Sequence, residues 1–260
     1  MNSCVQDAVC HFHLDLYSLA DDSYKINLAW KLALVYKGYS PSELLDTYGE
    51  ERLPVIAEML GKTTELLNQF KETGGRNINR GNELRQLGVN YRGSSIVYED
   101  DIEISTEKGD GYNSSSETAA RPGDRAPGAP GLRIIGTGKE ESIDIQDLYT
   151  PARHTILIFS NGGEDHTAVL EVVKTIIPPD VVDTVLILPH GATDALTDKD
   201  SEERARQFEK ILVDDDGHAY AGYHVLEKPS VVVVRPDGVV GARVRAAFGL
   251  KSYFANIFNI

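Results

Sequence analysis

The stretch Pro229–Val244, PSVVVVRPDGVVGARV, sets the architecture of the C-terminal half. Four consecutive valines, Val231–Val234, give Ser230–Arg235 the β-branched, uniformly apolar character of a strand buried on both faces. The next residues predict a tight turn, with Pro236 presetting φ and Gly238 supplying the permissive position. Val239–Val244 then returns as the hairpin partner, and Ala247–Phe258 closes the chain as a helix. Upstream of the hairpin, His154–Ser160 (HTILIFS) and Val182–Leu188 read as two more buried strands. Between them Glu164–Ile177 carries Val169, Val172, Val173 and Ile176 on one helical face, and Asp200–Leu212 reads as a charged amphipathic helix. The order strand-helix-strand-helix-strand-strand-helix predicts an α/β fold with a mixed sheet over residues 132–260. This segment carries enough apolar strand and helix to fold alone.

Two other textures precede it. Residues 1–73 read as helical. Ser40-Pro41-Ser42-Glu43 has the form of a helix start, with Ser40 as N-cap, Pro41 at the first helical position and Glu43 closing a capping box. Pro54 predicts a break or restart. Val55, Met59, Leu60, Thr63, Leu66, Leu67 and Phe70 then continue a 3.6-residue stripe expected to pack into a core. Residues 74–131 read as an extended segment and Gly/Pro/Ser-rich linker holding one or two short strands in VNYRGSSIVYEDDIEI. The acidic run Glu99-Asp100-Asp101 reads as solvated surface.

The 260 residues carry a net charge of −14, which disfavours nucleic acid and anionic membrane as partners. No stretch is long and apolar enough for a membrane span, and no signal peptide is visible. Cys4 and Cys10 do not make a disulfide framework, so a cytoplasmic protein is expected. His11, His13 and Asp15 alternate as strand ligands could, but no fourth ligand is indicated, so no metal is expected.

The strand and helix order of residues 132–260 resembles the thioredoxin fold, in which a proline, here Pro229, precedes the third of these strands. The resemblance implies a cis bond there. Thioredoxins place Cys-x-x-Cys between the first strand and first helix; the matching SNGGEDHTAV has no cysteine, so thiol redox chemistry is not expected.

A second resemblance covers nearly the whole chain. MNSCVQDA with INLAWKLALVYKG, then LLDTYGEERLPV, LGVNYRGSSIV, RPGDRAPGAP and VVVVRPDGVVGARV are similar, in order and spacing, to the FAD-dependent aromatic-ring monooxygenases of the phenol hydroxylase and p-hydroxybenzoate hydroxylase family. The resemblance implies hydroxylation of a phenolic ring, with NADPH reducing FAD and the reduced flavin activating O₂. It implies a C-terminal domain at or near a subunit contact of a homodimer. It places the backbone of Met1 and Asn2 at the N-terminus of a long helix, beside the pyrimidine end of the flavin, where helix-end amides stabilise negative charge. No side chain is assigned a catalytic role.

Two departures from the family pattern shape the expectation. The chain has no strand followed by G-x-G-x-x-G and no acidic residue about 20 positions later. It therefore reads as the C-terminal portion of a larger enzyme, inactive by itself, with residues 1–73 a remnant of the FAD-binding domain. Residues 9–25, Val9 to Lys25, interrupt the helix pattern; if helical they would turn the later face by roughly 260° relative to the earlier one. With them set aside, Val5, Ala8/Ile26, Ala29, Leu32/Ala33 and Tyr36 share one face, and the regular helix is expected to restart near Ile26. Valine codons begin with GT and one lysine codon ends in AG, so the segment reads as a short intron translated in frame; a loop insertion is the alternative. The competing functional reading is a stand-alone, non-catalytic thioredoxin-like dimerisation or interaction module.

Overall fold

The computed structural model describes residues 19–73, 88–100, 120–135, 141–160, 166–192, 207–225 and 230–260. An eight-stranded mixed sheet organises them, with strand order β1-β8-β7-β4-β5-β6-β2-β3. The strands are β1 (Tyr98–Glu99), β2 (Leu132–Ile134), β3 (Ser142–Ile143), β4 (His154–Phe159), β5 (Val182–Pro189), β6 (Lys210–Asp214), β7 (Ser230–Val234) and β8 (Val240–Val244). At the centre β4 runs parallel to β5 and antiparallel to β7, and β5 runs parallel to β6. The expected α/β class and mixed sheet are thus observed.

The sheet separates two apolar layers because successive strand residues face opposite ways. Ile156, Ile158, Val231, Val233 and Val244 face one layer; Leu157, Phe159, Val232, Val234 and Val240 face the other. The first layer is closed by the helices α1 (Leu19–Tyr36), α3 (Thr167–Ile176) and α5 (Ala247–Ala255), through Trp30, Leu34, Val169, Leu250, Tyr253 and Phe254. The second is closed by the short helix α4 (His218–Gly222), with Ala219 and Tyr223, and by Leu132, Ile145 and Leu148. The β7–β8 hairpin closes as its sequence implies. The Gly238 amide donates to the Arg235 carbonyl at 2.9 Å, the Arg235 amide to the Val239 carbonyl at 2.8 Å, and Gly238 takes φ 74°.

Several expectations are corrected. Residues 210–212 do not end a helix: Lys210–Asp214 is strand β6, because Leu212 and Val213 bury on opposite faces when paired to β5. Residues 200–206 lie outside the described residues. The capping box at Ser40 does not form. Pro41 caps a 3₁₀ turn over Ser42–Leu45, Ser42 Oγ donates to Glu43 Oε2 at 3.2 Å, and Ser40 Oγ is buried with no hydrogen-bond partner. Pro54 does not break α2 (Asp46–Thr73), the longest helix among the described residues. Pro54 and Glu50 are both exposed, so the carbonyl left without an i+4 amide donor is on the wet side.

The stripe after Pro54 is buried only at its start. Val55 is in the core and Met59 packs against it, whereas Leu60, Thr63 and Leu67 are exposed because no described element covers that end of α2. Glu99 is not free surface: it accepts from Arg243 Nε at 2.9 Å, and Asp100 accepts from the Arg245 amide at 2.8 Å. Helix α1 begins at Leu19, inside the 9–25 segment, rather than near Ile26.

The linker reaches the sheet through a close backbone approach. The Gly123 carbonyl accepts from the Tyr91 amide and its own amide donates to the Val240 carbonyl (both 2.7 Å); Gly123 takes φ 93°, and a β-carbon there would lie 2.5 Å from the Arg92 nitrogen. Gly123→Ala is expected to destabilise by about 3 kcal/mol, combining left-handed backbone strain with that contact. Urea denaturation is the measurement, and a loss under about 1 kcal/mol would show that the segment shifts freely.

Candidate functional site: a buried ionic junction

Helix α1 turns the opposite way from the apolar face expected of it. Asn27, Trp30, Lys31 and Leu34 are buried, at i, i+3, i+4 and i+7, while Ala29, Leu32, Ala33 and Tyr36 are exposed and Ile26 is half-buried. The reason is a set of charges that the sheet and α2 hold at the same place. Glu51 projects from α2 with its side chain fully buried, and Arg235, at the end of β7, is likewise fully buried. The two form a bidentate pair, Arg235 Nη1 to Glu51 Oε1 at 2.6 Å and Nη2 to Oε2 at 2.9 Å.

The rest of the cluster satisfies the remaining lone pairs and protons of that pair. Glu51 Oε2 also accepts from Lys31 Nζ at 2.8 Å and Asn27 Nδ2 at 2.6 Å, and Oε1 accepts from Ser94 Oγ at 2.7 Å. Asp237, in the hairpin turn, accepts from Arg235 Nε at 3.0 Å, Asn27 Nδ2 at 2.8 Å and Trp30 Nε1 at 3.2 Å. The Arg235 guanidinium lies 5.2 Å from the Trp30 ring centre and 5.7 Å from that of Tyr91. Two cations and two carboxylates meet, so the cluster is formally neutral.

Protonation follows from burial and partners. Desolvation alone would raise the Glu51 carboxyl; the Arg235 and Lys31 charges reverse this and hold it well below the usual carboxylate range. Desolvation lowers the Lys31 ammonium, against the opposing pull of Glu51. Beside the cluster, His154 at the start of β4 is enclosed edge-on by Trp30, Tyr253, Phe254 and Phe258, with ring centres 5.2–6.4 Å away, and its Nε2 has no hydrogen-bond partner. Burial, and then the Arg235 charge, push its pKa down to about 3.

No reactive group in this junction reaches solvent, and its chemistry is that of a clamp joining α1 and α2 to the hairpin. The residues singled out for the flavin, Met1 and Asn2, lie outside the described residues, as do His11, His13, Asp15 and Pro229. No cluster of His, Cys, Asp or Glu able to hold a metal occurs among the described residues. None of their helices is long and apolar enough to cross a membrane.

Sequence reasoning missed Asn27, Lys31, Glu51, Arg235 and Asp237. RPDG was read only as a turn. The available signal was Lys31 within the apolar run LAWKLALV, at helical spacing from Asn27.

Two predictions follow from the charges. Glu51→Gln leaves the buried Arg235 and Lys31 short of a counter-charge, and a loss of about 3–5 kcal/mol is expected in urea denaturation. The double variant Glu51→Leu/Arg235→Met should lose less than the sum of the single changes; simple additivity would mean the two do not interact. His154 is neutral when folded, while the unfolded chain binds its proton below the ordinary value of 6.5. Stability should therefore fall, by up to about 1.4 kcal/mol per pH unit, as pH drops from 6.5 towards the folded value near 3. His154→Phe should remove one proton from this slope between about pH 6 and 5, above the range where Glu51 titrates; an unchanged slope would place the proton uptake elsewhere.

Comparison with known proteins finds matches to two separate segments of the chain. Residues 21–63 match a family model described as FAD binding domain, and residues 142–259 one described as phenol hydroxylase, C-terminal dimerisation domain. A flavin-dependent monooxygenase of Mycobacteroides abscessus is 31% identical over 190 residues, 70% of this chain and 34% of that protein. The pentachlorophenol 4-monooxygenase of Sphingobium chlorophenolicum is 26% identical over 227 residues, 84% of this chain and 37% of that protein. The chain thus spans about a third of the length of these relatives. Among solved structures, the flavin-dependent monooxygenase PieE in complex with FAD and substrate aligns with 90% of this chain and 42% of its own, with TM-score 0.57 and 21% identity, a likeness of fold. The chain is phenol hydroxylase-like, and its homologues are FAD-dependent monooxygenases.

Proposed function

We propose that this chain is the C-terminal portion of a FAD- and NADPH-dependent monooxygenase that hydroxylates a phenolic substrate in the cytoplasm, working as a homodimer. One observation carries the reading. Lys31 and Glu51 lie in the segment that matches the FAD binding domain, Arg235 and Asp237 in the segment that matches the dimerisation domain, and they form one buried cluster. The helices of the first segment are thus held on the sheet of the second as one unit.

The domain reading is a helical part over 1–73, a linker over 74–131 and a thioredoxin-like domain over 132–260. The parallel β4–β5 pair flanked by antiparallel β7 and β8 supports the thioredoxin-like description. The bound flavin would supply oxygen activation; Met1 and Asn2 are the positions proposed to approach it. The described residues of the 21–63 match offer no glycine-rich turn to seat a pyrophosphate, so no catalytic step is given to their side chains.

Titration of the purified chain with FAD is expected to show no binding at micromolar concentration, because the contacts remaining are too few to offset association entropy. A stoichiometric yellow complex would overturn that expectation. Sedimentation should give a species of twice 28.6 kDa, and a monomer throughout would argue against the dimerisation role. Transcript sequencing separates the two functional readings. An in-frame dinucleotide-binding domain upstream of Met1 supports the monooxygenase; an independent transcript starting at Met1 supports a stand-alone interaction module.

A further inference from the structure

His154, at the start of β4, projects into the first apolar layer between α1 and α5. Among the described residues four rings lie against its imidazole. Trp30 comes from α1, Tyr253 and Phe254 from α5, and Phe258 from the residues just after α5. On the neighbouring strand β5 the aliphatic Val182 stands beside it, and the Val181 carbonyl favours its protonated form. The charged groups at this corner are Lys31 from α1, Glu51 from α2, Arg235 from the end of β7 and Asp237 from the hairpin turn. Neither carboxylate is spare. Glu51 accepts from Arg235, Lys31, Asn27 and Ser94, and Asp237 accepts from Arg235, Asn27 and Trp30. The Tyr253 hydroxyl is not bonded to the imidazole; it is packed over Gly241, in the space a β-carbon there would take.

We propose that α1 is an acid-released strap: a proton on His154 detaches α1 from the sheet while α2 and α5 keep their places. Two constraints select α1. The first is charge. Lys31 and Arg235 balance Glu51 and Asp237, and a proton on His154 adds a third cation to a buried corner that has no third carboxylate. Lifting α1 carries Lys31 out with it. Arg235 and the protonated His154 then face Glu51 and Asp237, and the charges balance again. The second is attachment. Moving α1 withdraws Trp30 and Leu34 from the apolar layer and opens the imidazole to water. Moving α5 would withdraw Leu250, Tyr253 and Phe254, with Ile257 and Phe258 behind them. Helix α2 has anchors of its own: Arg52 Nη1 donates to the Tyr91 hydroxyl at 2.9 Å, and Ser95 Oγ donates to Glu50 at 2.7 Å. The turn after α1 supplies the hinge. Gly38 takes φ 73°, and the Asn259 amide donates to the Tyr39 carbonyl at 2.9 Å, holding the far side of that turn. The release does not depend on the flavin reading.

Hydrogen exchange of the full chain, resolved by element, tests this between about pH 7 and 5. Opening constants are taken after correction for the intrinsic pH dependence of exchange. The closed form excludes the proton from His154 down to a pKa of about 3, whereas the open form takes it up near the ordinary 6.5, so acid favours opening. The α1 opening constant should rise about tenfold per pH unit below that value. At about pH 5, amides of residues 27–34 should open at least about tenfold more often than those of Val231–Val234 and Leu250–Phe254. His154→Phe should remove the rise in α1, and a cooperative thermal transition confirms that the variant folds. The element-resolved pattern of the unaltered chain decides alone if it does not. Equal opening of α1 and α5, an α1 opening constant that stays flat with pH, or a rise unchanged in folded His154→Phe overturns the proposal.

Discussion

The bidentate pair between Arg235 and Glu51 is the interaction on which the remaining architecture depends. Both side chains are fully buried, at 2.6 and 2.9 Å, in a place where an unpartnered charge would cost several kcal/mol. Every neighbour is arranged around that requirement. Lys31 and Asn27 turn inward from α1, Asp237 turns back from the hairpin, and Ser94 supplies a hydroxyl from the segment leading to β1. Trp30 and Tyr91 flank the guanidinium and exclude water from it.

This cluster explains the orientation of the helices better than hydrophobic pattern does. In α1 the residues facing the sheet include an amide and an ammonium, while Leu28, Leu32 and Tyr36 face outward. In α2 Glu51 and Arg52 are buried while Leu53, Ile56, Leu60 and Leu67 are exposed. A charge left buried and unpaired costs more than one leucine left in water, so the ionic contacts fix the rotation of both helices. Trp30, Leu34 and Leu44 then complete the apolar layer that includes Ile156 and Ile158.

The same geometry joins two segments that resemble different parts of flavin monooxygenases. The hairpin Arg235-Pro236-Asp237-Gly238 is a local structure, closed by its own proline and glycine, yet it positions two charges for residues about 200 positions earlier. His154, wedged between Trp30 and the α5 aromatics, makes this region sensitive to acid, because its neutral form is the one that fits.

Much of the sheet was legible in the sequence. His154–Phe159, Val182–Pro189 and Ser230–Val234 are apolar runs that can be buried on both faces only as central strands, and RPDG can close only as a turn. The resemblance to flavin monooxygenases rested on ordered motifs and needed no coordinates. Tertiary structure alone decided three things. It made Lys210–Asp214 a strand, since burial beside β5 outweighs the local helical pattern. It carried α2 through Pro54, since the missing hydrogen bond faces solvent. It buried Lys31 rather than Leu32, since the carboxylates that offset its charge, Glu51 and Asp237, lie 20 and 206 positions away. Periodicity measures only the apolarity of a face and cannot register a counter-charge brought by a distant part of the chain.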